Sequence, residues 1–320
     1  MHLLFLLLLC AASCCANTHS NQPDIEPLMD NVLVLRVPYG KGSRVYVNLT
    51  CGGAHQNQPV IWKKDGMELE PALQGNHIRV LVREMDGGNY TCHQSTDGQY
   101  LNHTVILVRS DPDNRTVILK EKSPKEGHIH CTAPNYRGSF HCTWTRTEDR
   151  PNAAVLLVKA ERDLKKIPCV LDADGSGVRC QDTDCQHNEE QHSISITVYI
   201  RSYSLLEAYS KTFYLRDIVR PAMLPNLQTS DRRVFSWGYP ESWEKPCTYF
   251  RLQFEVKVVH SGNDCSSEDH IEYNTTEQTQ YEVNVKTRRF VFCVRAQDKF
   301  TRGPFSHWSN CMVNRNDVKC

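Results

Sequence analysis

Val294-Arg295-Ala296-Gln297-Asp298, followed a few residues on by Phe305-Ser306-His307-Trp308-Ser309, is the stretch that decides the fold. An arginine on a strand, followed by an aromatic-Ser-x-Trp-Ser turn, sets a guanidinium against aromatic faces. Such contacts are worth about 0.5–1 kcal/mol when exposed and about 2 when desolvated. They stiffen one face of a β-sandwich without filling its core. Upstream, Phe250, Leu252, Phe254, Val256 and Val258 alternate with Arg251, Gln253, Glu255 and Lys257. A period of two sends the first set to the core and the second toward solvent. Ile194, Ile196, Val198 and Ile200 repeat the pattern. No stretch sustains a helical apolar period, and Gly, Pro, Asn and Asp punctuate the short alternating runs, so the chain reads as all-β sandwiches.

At 320 residues the chain suits two or three domains of about 100 residues each. The first, residues 17–109, carries Val47-x-Leu49-x-Cys51, then Trp62, then Asp86-Gly-Gly-Asn-Tyr90-Thr-Cys92. This Cys…Trp…Cys order, with Tyr two residues before the second Cys, resembles an immunoglobulin domain. In that fold the cystine joins the two sheets and Trp packs on it. The resemblance makes Cys51 and Cys92 a pair and makes Trp62 and Tyr90 core residues. In residues 110–220, Cys131 and Cys142 flank the turn Asn135-Tyr136-Arg137-Gly138, and Cys169 and Cys180 flank Asp172-Ala-Asp-Gly175-Ser-Gly177. Turns of this kind place each pair on neighbouring antiparallel strands, within disulfide range. Pro221-Ala-Met-Leu-Pro225 then marks a stiff boundary before residues 221–320, because proline fixes the backbone and blocks ladder pairing.

Leu3–Leu9 is apolar and is followed by small residues, with a plausible cleavage point after Ala16. This reads as a secretory signal peptide, residues 1–16, although its start carries no Lys or Arg. Twelve of the 15 cysteines lie beyond that leader, in a compartment where disulfides persist. Five Asn-x-Ser/Thr sequons, at Asn48, Asn89, Asn102, Asn114 and Asn274, agree with export as a glycoprotein. No later run is apolar enough to span a bilayer, so the expectation is a secreted, extracellular protein without membrane insertion. Lys+Arg and Asp+Glu both number 37. This even balance gives no sign of a nucleic-acid partner.

The Cys-x-Trp after the short Cys131–Cys142 hairpin resembles the upper fibronectin type III-like domain of a class I cytokine receptor. Val234-Phe235-Ser236-Trp237 and the Arg295–Trp308 segment resemble its lower one. Asn135–Cys142, Phe213–Pro221, Ser236–Pro240 and Val294–Asp298 together resemble the soluble, receptor-like beta-subunit family shared by interleukin-12 and interleukin-23. The resemblance implies a secreted subunit of a heterodimeric cytokine. Its partner would be a four-helix alpha subunit held at the elbow of domains 2 and 3, and the pair would engage a cell-surface cytokine receptor on lymphocytes. It leaves room for a homodimer. It further implies an interchain disulfide at Cys185 and partner contacts at Tyr136, Glu189, Tyr249 and Asp298. Aromatics supply area at low entropy cost, and a buried carboxylate can hold an arginine bidentately.

The chain departs from the family pattern in three ways. Phe305 stands where the receptor class has Trp, which implies a weaker stack on Arg295 within the WSxWS-like motif (Phe305, Ser306, Trp308, Ser309). Cys293 lies two residues before Arg295, with Cys247, Cys265 and Cys320 additional. The basic run that some members carry after the long strand is replaced by His260–Asp269, which argues against a glycosaminoglycan site there. The residues themselves also leave Cys185 open to an intrachain bond with Cys247, Cys265, Cys293, Cys311 or Cys320; six cysteines allow 15 connectivities.

His128, His130 and His141 beside Cys131 and Cys142 superficially offer a metal site. Bonded cysteines cannot act as thiolate ligands, so no metal or other cofactor is expected. Asp111-Pro-Asp113 and Asp172-Ala-Asp174-Gly175 lack the closing Glu of a calcium loop and read as turns. No nucleophile elbow, zinc-protease His motif or phosphate-binding Gly loop is present, so an enzyme is not expected. The competing expectation within the binding class is a soluble alpha receptor or decoy that captures cytokine non-covalently; a stable covalent heterodimer separates the two.

Overall fold

A computed structural model describes residues 24–38, 44–83, 85–111, 117–183, 190–243 and 250–320. Two compact units divide the chain, residues 1–113 and 114–320. Both are built almost wholly from β-strands. Residues 1–16, read above as a signal peptide, and Asn114, Cys185, Glu189, Cys247 and Tyr249 lie outside the described residues.

In the first unit Val32–Pro38 pairs antiparallel with Asp24–Met29 and parallel with Tyr100–Asp111. Gly88–Gln94, Val60–Lys64 and Met67–Glu68 continue that sheet. Arg44–Thr50 and His77–Arg83 form the facing pair. Cys51 and Cys92 are joined across the core with Cα atoms 5.9 Å apart. Trp62 and Tyr90 are buried in the same cluster, and the Trp62 indole donates to the Gly75 carbonyl at 2.9 Å. Burial first, then Asp86 and Asp65, push the Tyr90 phenol up to about 12. Along Arg44–Thr50 the alternation leaves Asn48 exposed. Asn89 and Asn274 are also exposed. Asn102 is half-buried, and its amide donates to the Cys51 carbonyl at 3.1 Å.

The second unit opens with Ala154–Arg162, Ile194–Ser202 and Leu205–Phe213 in antiparallel order. Ile194, Ile196, Val198 and Ile200 are fully buried, as their period requires. Facing strands His130–Thr132, Ser139–Thr143, Gly177–Gln181 and Cys169–Leu171 carry two cross-strand disulfides. Cys131–Cys142 and Cys169–Cys180 each join residues directly opposite in register, with Cα atoms 4.0 and 4.1 Å apart. Next come a small sheet of Gln228–Thr229, Val234–Ser236 and Gln280–Glu282, and a larger one. In the larger sheet Leu252–His260 pairs with Glu272–Thr276 and Phe290–Asp298, and Ser309–Val313 and Val318–Lys319 follow. One hydrophobic cluster runs from Ile118 to Val313 through both halves of this unit.

Two further bonds, Cys265–Cys293 and Cys311–Cys320, pair four of the six cysteines whose connectivity the sequence left open. Among the described residues every cysteine takes part in one of these five bonds. The position of Cys293 now has a physical reason. It faces away from the sandwich interior, into a second small cluster with Val259, Cys265 and Val291, against which Trp308 packs. The segment 261–269 is thereby strapped over the outer face of the sheet, where Lys257 donates to the carbonyls of Cys265 and Ser267 at 3.1 Å each.

Candidate partner-binding elbow

The linker is fixed at both ends. Arg220 N donates to the Ala133 carbonyl at 2.8 Å and Gly238 N to that of Pro225 at 2.8 Å. The hydroxyl of Ser309, the final motif serine, donates to the Leu224 carbonyl at 3.1 Å. Before the linker, a single helical turn, Leu215–Ile218, starts where Tyr214 N donates to Asp217 Oδ2 at 3.0 Å and Asp217 N donates to the Tyr214 carbonyl at 2.9 Å. At Gly303 an added Cβ would sit 2.9 Å from the Arg216 carbonyl oxygen, so backbone meets backbone where the two halves join.

The motif residues stack on the outer face of the sheet. The Arg295 guanidinium lies 4.0 Å from the Phe305 ring and 4.3 Å from Trp308, and Lys257 covers Trp308 at 5.2 Å. Arg295 Nη2 donates to both carboxylate oxygens of Glu255 at 2.9 and 3.0 Å. Glu255, assigned to the solvent face by alternation, is only 4% exposed because this ladder covers it. Ser306 binds back onto the Arg295 strand: its hydroxyl accepts from Ala296 N at 2.9 Å and its N–H donates to the Ala296 carbonyl at 2.7 Å.

The bend itself centres on the turn Asn135–Gly138. Tyr136 stacks on Phe250 at 4.8 Å and meets Trp243 edge-on at 6.1 Å. Its hydroxyl donates to Asp298 Oδ2 at 3.1 Å and lies 3.2 Å from Thr301 Oγ1. Burial pushes the Tyr136 phenol well above its ordinary value. Asp298 Oδ1 accepts from the backbone N–H of Phe300 and Thr301 at 2.7 and 2.9 Å. Asn135 Nδ2 donates to the Ser242 carbonyl at 2.7 Å, and Trp243 Nε1 to that of Phe250 at 2.8 Å.

Tyr136 and Asp298 are thus brought together, but not as surface groups: they are 6% and 2% exposed in the chain alone. The phenol lies over the carboxylate, and the carboxylate caps the turn Lys299–Thr301. What the bend exposes is its rim: Phe300 at 65%, with Arg137, Thr301 and Arg302. Asp298 has three hydrogen-bond donors and no cationic partner among the described residues.

One network escaped the sequence reading. Arg162 is buried, its Nε donating to Asp182 Oδ2 at 2.7 Å and its Nη2 to Glu190 Oε1 at 3.0 Å. Glu190 also accepts from Leu215 N and Arg216 N at 2.8 and 3.0 Å. Asp182 and Glu190 flank the segment that holds Cys185 and Glu189, so one guanidinium clamps both its ends. Asp182 N also donates to the Gly138 carbonyl at 2.9 Å. Gly138 has φ +85°, and a Cβ there would meet the Asp182 carbonyl oxygen at 2.1 Å. The signal was available: Arg162 falls on an inward position of its strand, where an arginine must find buried partners.

Residues 126–202, which hold both cross-strand disulfides and the Asn135–Gly138 turn, match the family model described as cytokine interleukin-12p40 C-terminus. Interleukin-12 subunit beta of Sigmodon hispidus is 29% identical over 323 residues, 91% of this chain and 95% of that one. The Mesocricetus auratus protein of the same name is 30% identical, over 89% of this chain and 91% of its own. The Homo sapiens one is 30% identical over 82% and 85%. With that identity sustained along almost its whole length, the chain belongs to the interleukin-12 subunit beta family.

Proposed function

We propose that this cytokine subunit holds a four-helix alpha subunit at the bend between residues 110–220 and 221–320, read as two fibronectin type III-like sandwiches. The immunoglobulin-like residues 17–109 are left to engage a lymphocyte receptor. The pair acts outside the cell, and Cys185 forms the covalent link to the alpha subunit.

The observation that carries this reading is Asp298. A buried carboxylate without a counter-cation is costly, and such groups are found paired or fully hydrogen-bonded. Glu207 shows the second solution: Val117 N and Ile118 N donate to it at 2.9 Å each, with the Tyr209 hydroxyl, inside one sandwich. Asp298 differs in place, because it lies under the exposed rim Phe300–Arg302 at a bend. An arginine from a helix can displace the Tyr136 hydroxyl there and bind the carboxylate through two parallel bonds. Tyr136, Tyr249 and Glu189 are the remaining contacts proposed.

The test is co-expression with candidate helical subunits, nonreducing electrophoresis and peptide mapping around Cys185. A Cys185-containing peptide joined to the helical chain is expected. A Cys185–Cys247 bond, with no covalent pair formed, would favour the soluble-receptor reading instead.

A further inference from the structure

Beside the linker the second unit carries a concavity lined by arginine and histidine. An open hollow of about 550 Å³ is bounded by Thr132, His141 and Arg179, by the linker residues Arg220–Ala222, and by His307 of the terminal motif. Thr132, His141 and Arg179 stand side by side across three strands, since His141 is registered with both of the others. Asp172 takes His141 Nε2 at 2.6 Å and Arg179 Nε at 3.3 Å, and so offsets one of the two arginines. Arg220 has no ion pair among the described residues, and its Nε is buried without a hydrogen-bond partner. The wall is apolar: Pro134 and Ala222 are exposed there, with Pro221 between the two halves and Met223 exposed just beyond.

We infer that this hollow is a second docking site of the chain, built for an acidic side chain flanked by apolar residues on a protein partner. The half-buried Arg220, without an ion pair among the described residues, is the uncompensated cation of the hollow and is complementary to a carboxylate. The adjoining exposed Pro134 and Ala222 are complementary to the apolar neighbour. A bare inorganic anion would leave that wall wetted, and a sulfated polysaccharide has no apolar body to cover it. Because the elbow needs a cation and this site an anion, the two would not compete for one partner segment.

The experiment uses the full secreted chain on a biosensor surface. Four probes are compared: an acetylated Gly-Leu-Glu-Leu-Gly amide, its glutamine twin, a heparin octasaccharide and inorganic sulfate. The glutamate peptide is expected to bind about tenfold or more tighter than its twin, the difference between a charge-assisted and a neutral bond. Arg220→Gln should weaken it about tenfold or more, Arg220→Lys much less, and Arg315→Gln, remote from the hollow, not at all. Should Arg220→Gln fail to be secreted, Arg179→Gln carries the same expectation. Equal binding of the two peptides, or no binding of either at about 1 mM, overturns the inference. So does binding of heparin or sulfate alone that Arg220→Gln abolishes. The peptides are measured on the chain alone, so the outcome is read separately from pairing at the bend.

Discussion

Replacing Asp298 by Asn removes one charge and keeps an acceptor where Phe300 N and Thr301 N converge. In the free chain the bonds from Phe300 N and Thr301 N are kept at Oδ1, the bond to Tyr136 survives only in reverse, with the amide Nδ2 donating to the phenol oxygen, and the cost of an unpaired buried charge disappears. Stability of the free chain to urea should therefore change by less than about 1 kcal/mol, or rise. Pairing should respond in the opposite direction. If a helical partner places an arginine against Asp298, removing the carboxylate strands that guanidinium in a closed interface, which costs about 2–5 kcal/mol. At about 1.4 kcal/mol per decade, the noncovalent dissociation constant should rise by about 30-fold or more. Asp298→Ala should do the same to pairing while also orphaning the two turn N–H groups, so its free chain loses about 1–3 kcal/mol. The measurement belongs in a Cys185→Ser background, so that a covalent link cannot hold a weakened interface together. Titration calorimetry with the helical subunit reads pairing, and urea unfolding reads the free chain. An Asp298→Asn chain that pairs as tightly as the parent would refute the reasoning: the carboxylate would then be only a turn cap.

Replacing Arg295 by Met leaves Glu255 buried and uncompensated, and should cost about 3–5 kcal/mol in urea unfolding. Phe305→Trp should instead add about 0.5–1 kcal/mol, because indole is the stronger face for a cation. Gly138→Ala forces Cβ into the Asp182 carbonyl and requires a positive φ, so a loss of at least about 2 kcal/mol and a changed reactivity of Cys185 toward thiol reagents are expected. Tyr90 keeps its proton longer folded than unfolded, so its contribution is complete below pH 10 and fades as pH rises toward about 12. Tyr90→Phe should remove that alkaline decline, seen as phenolate absorbance coinciding with unfolding of the first unit.

The strands were legible because alternation is a local property: Ile194 to Ile200 and Leu252 to Val258 could face only one way. The hairpin cysteines were legible for the same reason, since short turns force register. Glu255 was misplaced because its cover arrives from residues 40 and more positions later. Tyr136 and Asp298 were singled out together, but the chain's own bonds between them were not foreseen. Such bonds depend on how two sandwiches meet, and no periodicity encodes that. Arg162 was overlooked because its partners, Asp182 and Glu190, lie across a turn and a loop.

The hydrogen bond from Ser309 to Leu224 has a bearing on biosynthesis. Domains of a growing chain generally fold in order, N-terminal first. Here the bend is tied across a separation of 85 residues, from Leu224 to Ser309. The linker therefore cannot set until the Ser309–Val313 strand has been made and paired with Phe290–Asp298. A helical subunit held there, as proposed, would meet a bend completed late in folding, after the immunoglobulin-like unit.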